Sequence, residues 1–188
     1  MQNKNIKANQ LKENVIYTDK DLQKYIEEIG HIDENMCNSA RNKWDNIGKP
    51  LRSLGRLEEM VIQLAGITGN LNPTVDKKAV IIFCADNGVV SEGVTQTGQE
   101  VTAVVSTNFT KGIATINSFA RVLGADVFPV DVGINKDMSS VKGIINRKVS
   151  MGTKDILKGQ AMTRSECIQA IIAGIEIVHT LKDKGYNM

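Results

Sequence analysis

Lys78–Val94, KAVIIFCADNGVVSEGV, decides the fold class. Val80-Ile81-Ile82-Phe83-Cys84 is an unbroken run of β-branched and apolar residues, the pattern of a strand buried in a parallel sheet. Ala85-Asp86-Asn87-Gly88 stops that run with a carboxylate and an Asn-Gly turn. In open α/β sheets, ligands bind in the crevice past the carboxyl ends of the strands. The exit of this strand is therefore the first place to look for chemistry.

Upstream, the periodicity is helical. Thr18 with Asp21 fits a capping box, followed by Leu22, Ile26 and Ile29 and a stop at Gly30. A second helix is expected from Ile32 to Ile47, with Ile32, Met36, Ala40 and Trp44 on one face; Gly48-Lys49-Pro50 breaks it. Ser53 can cap a third, whose apolar face reads Leu54, Leu57, Val61, Leu64 and Ala65, ended by Gly66 and Gly69-Asn70.

Downstream of the strand, Thr97 and Glu100 repeat the capping-box pattern. A helix from Gly98 to Lys111 follows, with Val101, Val104 and Val105 expected to face inward. Gly112 interrupts; Ile113, Ile116, Ala120 and Leu123 continue to Gly124. A second strand, Asp126–Val130, exits through Asp131-Val132-Gly133, and a short β segment is expected around Ile144–Val149. Thr163 with Glu166 caps the last helix, whose face is Cys167, Ile168, Ile171, Ile172, Ile175 and Val178, with Gly185 as its stop.

Helices first, then β-α-β-α, is an α/β pattern: a Rossmann-like open parallel sheet with an N-terminal helical segment and right-handed crossovers. The expected organisation is a flexible tail over residues 1–16, a helical segment over 17–70, and the N-terminal part of an α/β domain over 71–188. By alternation, a strand should follow the last helix. Residues 182–188, KDKGYNM, give the turn and the first residues beyond it, so the strand beside the missing one has an unprotected edge.

Composition excludes several function classes. Hydrophobic content of 41% and charged content of 23% are those of a globular protein. The net charge of +2 is spread along the chain without a basic block, and aromatics make up 4%, so neither duplex nor single-strand nucleic-acid binding is expected. Cys37, Cys84 and Cys167 form no CxxC pair or disulfide framework and read as thiols in a reducing cytoplasm. His31 and His179 are isolated, so no metal and no cofactor are expected. No apolar run reaches the ~18 residues of a membrane helix, and the polar start MQNKNIKANQLKEN lacks a signal core. A cytoplasmic protein without membrane partners is the expectation.

The quoted stretch does not stand alone. Together with Lys49-Pro50-Leu51-Arg52-Ser53-Leu54-Gly55-Arg56-Leu57-Glu58 and with Val130-Asp131-Val132-Gly133-Ile134, it resembles the nicotinate-nucleotide:dimethylbenzimidazole phosphoribosyltransferase family. The three blocks occur in the family's order across residues 21 to 188. The resemblance implies a transferase (a glycosyltransferase) of cobalamin lower-ligand assembly. Ribose phosphate passes from nicotinate mononucleotide to a benzimidazole-type base, giving α-ribazole phosphate and nicotinate. It implies a homodimer for full-length members. It also implies that this chain is the N-terminal half, truncated relative to the family. The catalytic Glu and the Gly-rich phosphate turn are then expected beyond Met188, with the chain alone inactive.

The candidate substrate-binding residues are Asp86, Asn87, Gly88, Thr97, Val105 and Asp131. Asp86 either orients a base or ribose hydroxyl, or forms a turn by accepting from the backbone near Gly88. Asp131 either shares that crevice or is an ordinary strand exit. Asn87-Gly88 supplies a backbone of positive φ, or lets a flat ligand approach closely. Glu92 is a solvated loop charge or an acceptor for the pocket. Thr97 caps a helix, or lines the base pocket as the equivalent family Ser does; Val105, two turns on, shares its helix face. The family often has Gln at the position of Val105, so the resemblance implies a drier pocket here that takes less polar bases. In Lys49–Glu58, Arg52 stands where the family has Gly, and an Arg resists the special backbone angle a Gly would serve. The segment is either a capped helix start packed over Gly55 or a ligand contact. Two other readings stand beside the enzyme: a base-binding or assembly module needing a separate C-terminal half, and an unrelated nucleotide-binding α/β domain.

Overall fold

A computed structural model describes residues 16–188, so the expected tail, apart from Ile16, lies outside the described residues. In chain order come α1 (Asp19–Glu27), α2 (Glu34–Asp45), α3 (Arg56–Thr68), β1 (Lys78–Ala85), α4 (Glu100–Lys111), α5 (Thr115–Leu123), β2 (Ala125–Gly133), β3 (Ile145–Asn146) and α6 (Arg164–Asp183). A short 3-10 turn, Gly88–Glu92, follows β1. The chain divides into two compact units: Lys24–Val75, and Asp76–Met188 together with the described residues 16–23.

In the α/β unit, the sheet is parallel with order β1-β2-β3, as the β-α-β-α pattern predicts. Lys78 lies opposite Ala125 and the register holds to Cys84 opposite Asp131, after which a shift sets Ala85 against Gly133. Side chains alternate across this sheet. Ala79, Ile81, Phe128, Val130 and Val132 pack on one face with Ile177 and Leu181 of α6. Ile82 and Cys84 pack on the other with Ala103, Ile134 and Met138. Burial pushes the Cys84 thiol up, in keeping with a packing role.

α6 opens with the expected capping box: Glu166 N–H donates to Thr163 Oγ1 at 3.2 Å, and Thr163 N–H to Glu166 Oε2 at 2.6 Å. Its buried stripe is Ile168, Ile172, Ala173, Ile177 and Leu181, so Ile171 and Val178 of the expected face are exposed instead. Residues 16–23 lie along this helix. Gln169 Nε2 donates to the Tyr17 carbonyl at 3.2 Å, and the Tyr17 hydroxyl donates to Glu176, which also pairs with Arg147.

Beyond α6, the Tyr186 ring packs edge-on against Phe128 with centroids 5.3 Å apart. The Tyr186 hydroxyl donates to Asp126 at 2.5 Å. Burial and that carboxylate push the phenol well above its usual range.

In the helical unit, Asp33 caps α2 by accepting from Met36 N–H at 2.9 Å. Cys37 and Ala40 are buried with Ile32, Met36 and Trp44 packed on them, the face the sequence marks. α3 differs from expectation. It starts at Arg56 with no side-chain cap, so Ser53 is not its N-cap. Its buried stripe is Glu58, Ile62, Ala65 and Gly66, while Leu54 and Leu57 are about half exposed. α3 is apolar on two sides, and close approach selects the side with small residues. A Cβ on Gly66 would lie 2.3 Å from Cys37 Sγ and 2.7 Å from Ile32 Cγ1. Gly66 is thus a packing glycine inside the helix, and the stop is Gly69, at φ 62°.

The Lys49–Glu58 segment closes on itself. Glu58 pairs with Lys49 at 2.8 Å and accepts from Leu54 N–H at 3.1 Å. The Lys49 hydrogen bond holds its carboxyl below the usual range. Arg52 adopts φ 55°, so the loop imposes the left-handed angle on a side chain that resists it. That strain is about 1–2 kcal/mol, partly offset in a Gly variant by about 0.4–1 kcal/mol of extra unfolded-chain entropy. Arg52→Gly is expected to raise stability in urea by about 0.5–1 kcal/mol net, with Arg52→Ala falling below it.

Candidate functional site

The exits of β1 and β2 are tied together by backbone bonds. Asp86 N–H donates to the Gly133 carbonyl at 2.9 Å, and Thr153 N–H donates to the Asp86 carbonyl at 2.9 Å. The Asp86 side chain is buried and accepts from Asn135 N–H at 2.7 Å. It therefore caps the turn after β2. The local turn-forming reading, with an acceptor bond near Gly88, is corrected: the partner lies 49 residues away on the neighbouring strand's exit.

Asp131 is buried too. It accepts from Gly133 N–H at 3.1 Å and Ile134 N–H at 2.9 Å, and pairs with Lys148 at 3.0 Å. The Lys148 ammonium also donates to the carbonyls of Ile134 and Lys136. One cation thus neutralises the buried carboxylate and clamps the turn that presents Asn135.

Asn87 is exposed, at φ −107° and ψ 127°, and Gly88 is not among the positive-φ glycines. The expected left-handed backbone is absent from this pair. Gly88 is needed for another reason. A Cβ there would lie 2.5 to 2.6 Å from backbone atoms of Thr153, Lys154 and Asp155. Gly88 N–H donates to Thr153 Oγ1 at 3.1 Å. The close approach is to the chain's own 153–155 segment. Glu92 is held nearby by Lys158 at 2.5 Å, and Lys158 also pairs with Asp155 at 2.9 Å.

Gln99 joins both strand exits. Its Nε2 donates to the Asn87 carbonyl at 3.0 Å, and its Oε1 accepts from Asn135 Nδ2 at 2.8 Å. Gln99 is also the N-cap position of α4, without a side-chain cap bond. Thr97 thus lies two residues before the cap, exposed, with its carbonyl accepting from Thr95 Oγ1 at 2.6 Å. Its expected capping role is corrected, and so is its sharing a helix face with Val105. Thr97 is two residues before Gln99, whose side chain bonds to the Asn87 carbonyl.

α4 turns Ala103 and Ser106 into the protein. Val101, Val104 and Val105 are 37%, 57% and 37% exposed, against the expected inward face. Ser106 is buried because its hydroxyl donates to the Thr102 carbonyl at 2.7 Å, which hides a polar residue that the periodicity assigns outward. α5 repeats the lesson: Asn117 and Ala120 are buried while Ile113 and Leu123 are exposed.

The site is thus a rim formed by the Asn87 carbonyl and the side-chain amides of Gln99 and Asn135, next to the start of α4, whose first turn carries Glu100. Such a rim offers planar donors and acceptors to a flat heteroaromatic ligand. Among the described residues, no group of three His, Cys, Asp or Glu side chains could hold a metal, and no helix is long and apolar enough to cross a membrane. A cavity of about 500 Å³ lies in the helical unit, lined by Ile32, Cys37, Arg41, Arg52, Glu58 and Ile62, among others; Arg52 and Glu58 belong to the Lys49–Glu58 segment, while Asp86, Asn87, Gly88, Thr97, Val105 and Asp131 do not line it.

A family model described as phosphoribosyltransferase matches residues 29–188. The chain belongs to the nicotinate-nucleotide–dimethylbenzimidazole phosphoribosyltransferase family. It is 50% identical over 163 residues to the enzyme of that name from Acetivibrio thermocellus, covering 87% of this chain and 46% of the relative. It is 49% identical to that of Ruminiclostridium cellulolyticum, covering 89% and 47%. A solved phosphoribosyltransferase of this name from Thermus thermophilus superposes with a TM-score of 0.77 at 38% identity, covering 82% of this chain and 47% of that one. The chain therefore spans about half the length of the relatives it matches. Family membership removes the reading as an unrelated nucleotide-binding domain.

Sequence reasoning missed Gln99, Asn135, Lys148 and Thr153. Asn135 follows the second strand's exit, and the rule that singled out Asp86 points to it as well. Nothing local marks the other three, whose roles arise from contacts across the sheet's end. Removing the Lys148 ammonium leaves Asp131 buried with only its backbone donors. Lys148→Met is expected to cost about 1–3 kcal/mol. In a double-mutant cycle by urea denaturation, Asp131→Asn should cost less when Lys148 is already Met.

Proposed function

We propose that this chain supplies the acceptor-base side of a phosphoribosyl transfer from nicotinate mononucleotide to a benzimidazole-type base. The products are α-ribazole phosphate and nicotinate, a step of cobalamin lower-ligand assembly. The observation that carries this reading is the Asn87–Gln99–Asn135 rim at the exits of two parallel strands, in a chain of this family. The relatives' names supply the two substrates.

On this reading, which rests on the family resemblance, Asn87, Thr97 and Val105 contact the base. Asp86, Gly88 and Asp131 act through the backbone they hold, since both carboxylates are engaged by N–H donors. The base's ring nitrogen attacks C1′ as the bond from C1′ to the nicotinate nitrogen breaks. That bond's electron pair neutralises the pyridinium. The base's N–H proton goes to a general base. No residue of this chain is assigned that task or the grip on the phosphate; both belong to the half of the family sequence that this chain does not match. Positioning two small molecules supplies much of the rate. The assembled protein works as a cytoplasmic homodimer without a cofactor.

A second reading is a non-catalytic base-binding module acting with a separately made second half. One assay covers both. The chain is supplied with nicotinate mononucleotide and benzimidazole, alone and mixed with the second half of the Acetivibrio thermocellus relative, and nicotinate release is followed. Release only from the mixture is expected. Turnover by the chain alone overturns the placement of the proton acceptor, and none from the mixture overturns the transfer reading.

Val105 predicts the base preference. A Gln there adds one hydrogen bond, about 0.5–1.5 kcal/mol, or about two- to tenfold in favour of a polar benzimidazole over a less polar acceptor. Competition between the two bases in a Val105→Gln variant of the assembled enzyme measures the shift; an unchanged ratio removes Val105 from the pocket.

A further inference from the structure

We propose that Glu176 and Tyr17 are positioning residues for the rim at the strand exits: they hold Arg147 against α6 and so set Lys148, one residue on, against Asp131. β3 is two residues long and meets β2 at two positions, Val130 with Ile145 and Asp131 with Asn146. Just past it, Arg147 N–H donates to the Asp131 carbonyl at 2.8 Å and Val149 N–H to the Val132 carbonyl at 3.0 Å. So short a pairing leaves its exact placement to the side chains that grip it.

The grip comes from both faces. Successive side chains of an extended segment point to opposite sides. Ile145 packs with Ile177 and Leu181 of α6. Arg147, two residues on, pairs with Glu176 of the same helix. Lys148 goes the other way, to the Asp131 carboxylate at 3.0 Å and to the carbonyls of Ile134 and Lys136.

Glu176 is engaged on both oxygens. Its Oε2 faces the Arg147 guanidinium, and its Oε1 accepts from the Tyr17 hydroxyl. The Arg147 and Glu176 side chains are only 12% and 17% exposed. Removing one partner of such a sheltered pair strands the charge of the other. The segment that carries Tyr17 is docked on α6 at two further points. Gln169 Nε2 donates to the Tyr17 carbonyl, and Arg164 donates to Asp19 through Nε at 3.0 Å and Nη2 at 2.7 Å. The relay therefore runs from Tyr17 through Glu176, Arg147 and Lys148 to Asp131. Asp131 in turn holds the amides of Gly133 and Ile134, beside Asn135. An effect on base affinity rests on the function proposed above; the relay itself does not.

Amide hydrogen exchange in the chain and in its Glu176→Gln variant tests the relay. Gln keeps an acceptor for Tyr17 and removes the charge that holds Arg147. Exchange at Ile134 and Asn135 should quicken at least about fivefold more than at Ile82 in the middle of β1. Tyr17→Phe, which keeps the ring, should act in the same direction, by about twofold. In a Lys148→Met background, Glu176→Gln should add little at Asn135, because the relay passes through Lys148. In the mixture with the second half of the Acetivibrio thermocellus relative, Glu176→Gln should raise KM for benzimidazole by about threefold or more with kcat nearly unchanged. Three results overturn the proposal: equal acceleration throughout β1 and β2, an equal effect of Glu176→Gln with and without Lys148, or no response at Asn135 to either variant. Quickened exchange at Asn135 with an unchanged KM upholds the relay and counts against base binding at this rim.

Discussion

Two buried carboxylates at the ends of adjacent parallel strands hold the site together. Asp131 gathers its own strand's exit through Gly133 and Ile134, and Asp86 reaches across to the next amide, Asn135. The turn after β2 is thus clamped from two strands at once, and Lys148 closes it from a third direction. Burying a charge is costly unless it is paired and hydrogen-bonded, so these groups tolerate few alternatives. The amide rim inherits its geometry from them: Asn135 is placed by Asp86, Gln99 by Asn135, and the backbone of Asn87 by Gln99.

Small residues settle the packing that hydrophobicity leaves open. Gly66 lets α3 sit against Cys37, and Gly88 lets the β1 exit sit against the 153–155 backbone. In α4 and α5, Ala103, Ser106, Asn117 and Ala120 face inward while larger apolar residues stay outside. The result is a molecule with several uncovered apolar faces. Surfaces of that kind mark contact with further polypeptide or with ligand.

The sequence was most legible where local chemistry and tertiary need agree. The apolar run into Asp86 gives β1, Thr163 with Glu166 gives the start of α6, and Gly112 and Gly124 end α4 and α5 at positive φ. It misled where a helix is apolar on more than one side, because a periodicity of 3.6 then cannot choose the buried face. Thr97 shows a second failure. Thr-x-x-Glu is a capping box only if the helix begins there, and here it begins after Gln99. Asp86 was found by its place at a strand end, but its partner was beyond reach of a linear reading. The network of Lys148, Asn135 and Gln99 joins loops far apart in sequence, and no spacing announces it.

Tyr186 has a consequence for the order in which the α/β unit can be built. It seals the core on Phe128 and steers Asn187 onto Lys77, 110 positions earlier in the chain. During vectorial synthesis, β1 and β2 emerge long before the helix and ring that cover one side of them. Contacts so distant in sequence are slow to form, and the waiting strands expose hydrophobic surface meanwhile. The helical unit, by contrast, is made of neighbours and can settle as soon as it leaves the ribosome. Closure of this side of the sheet therefore waits on contacts between positions 110 residues apart.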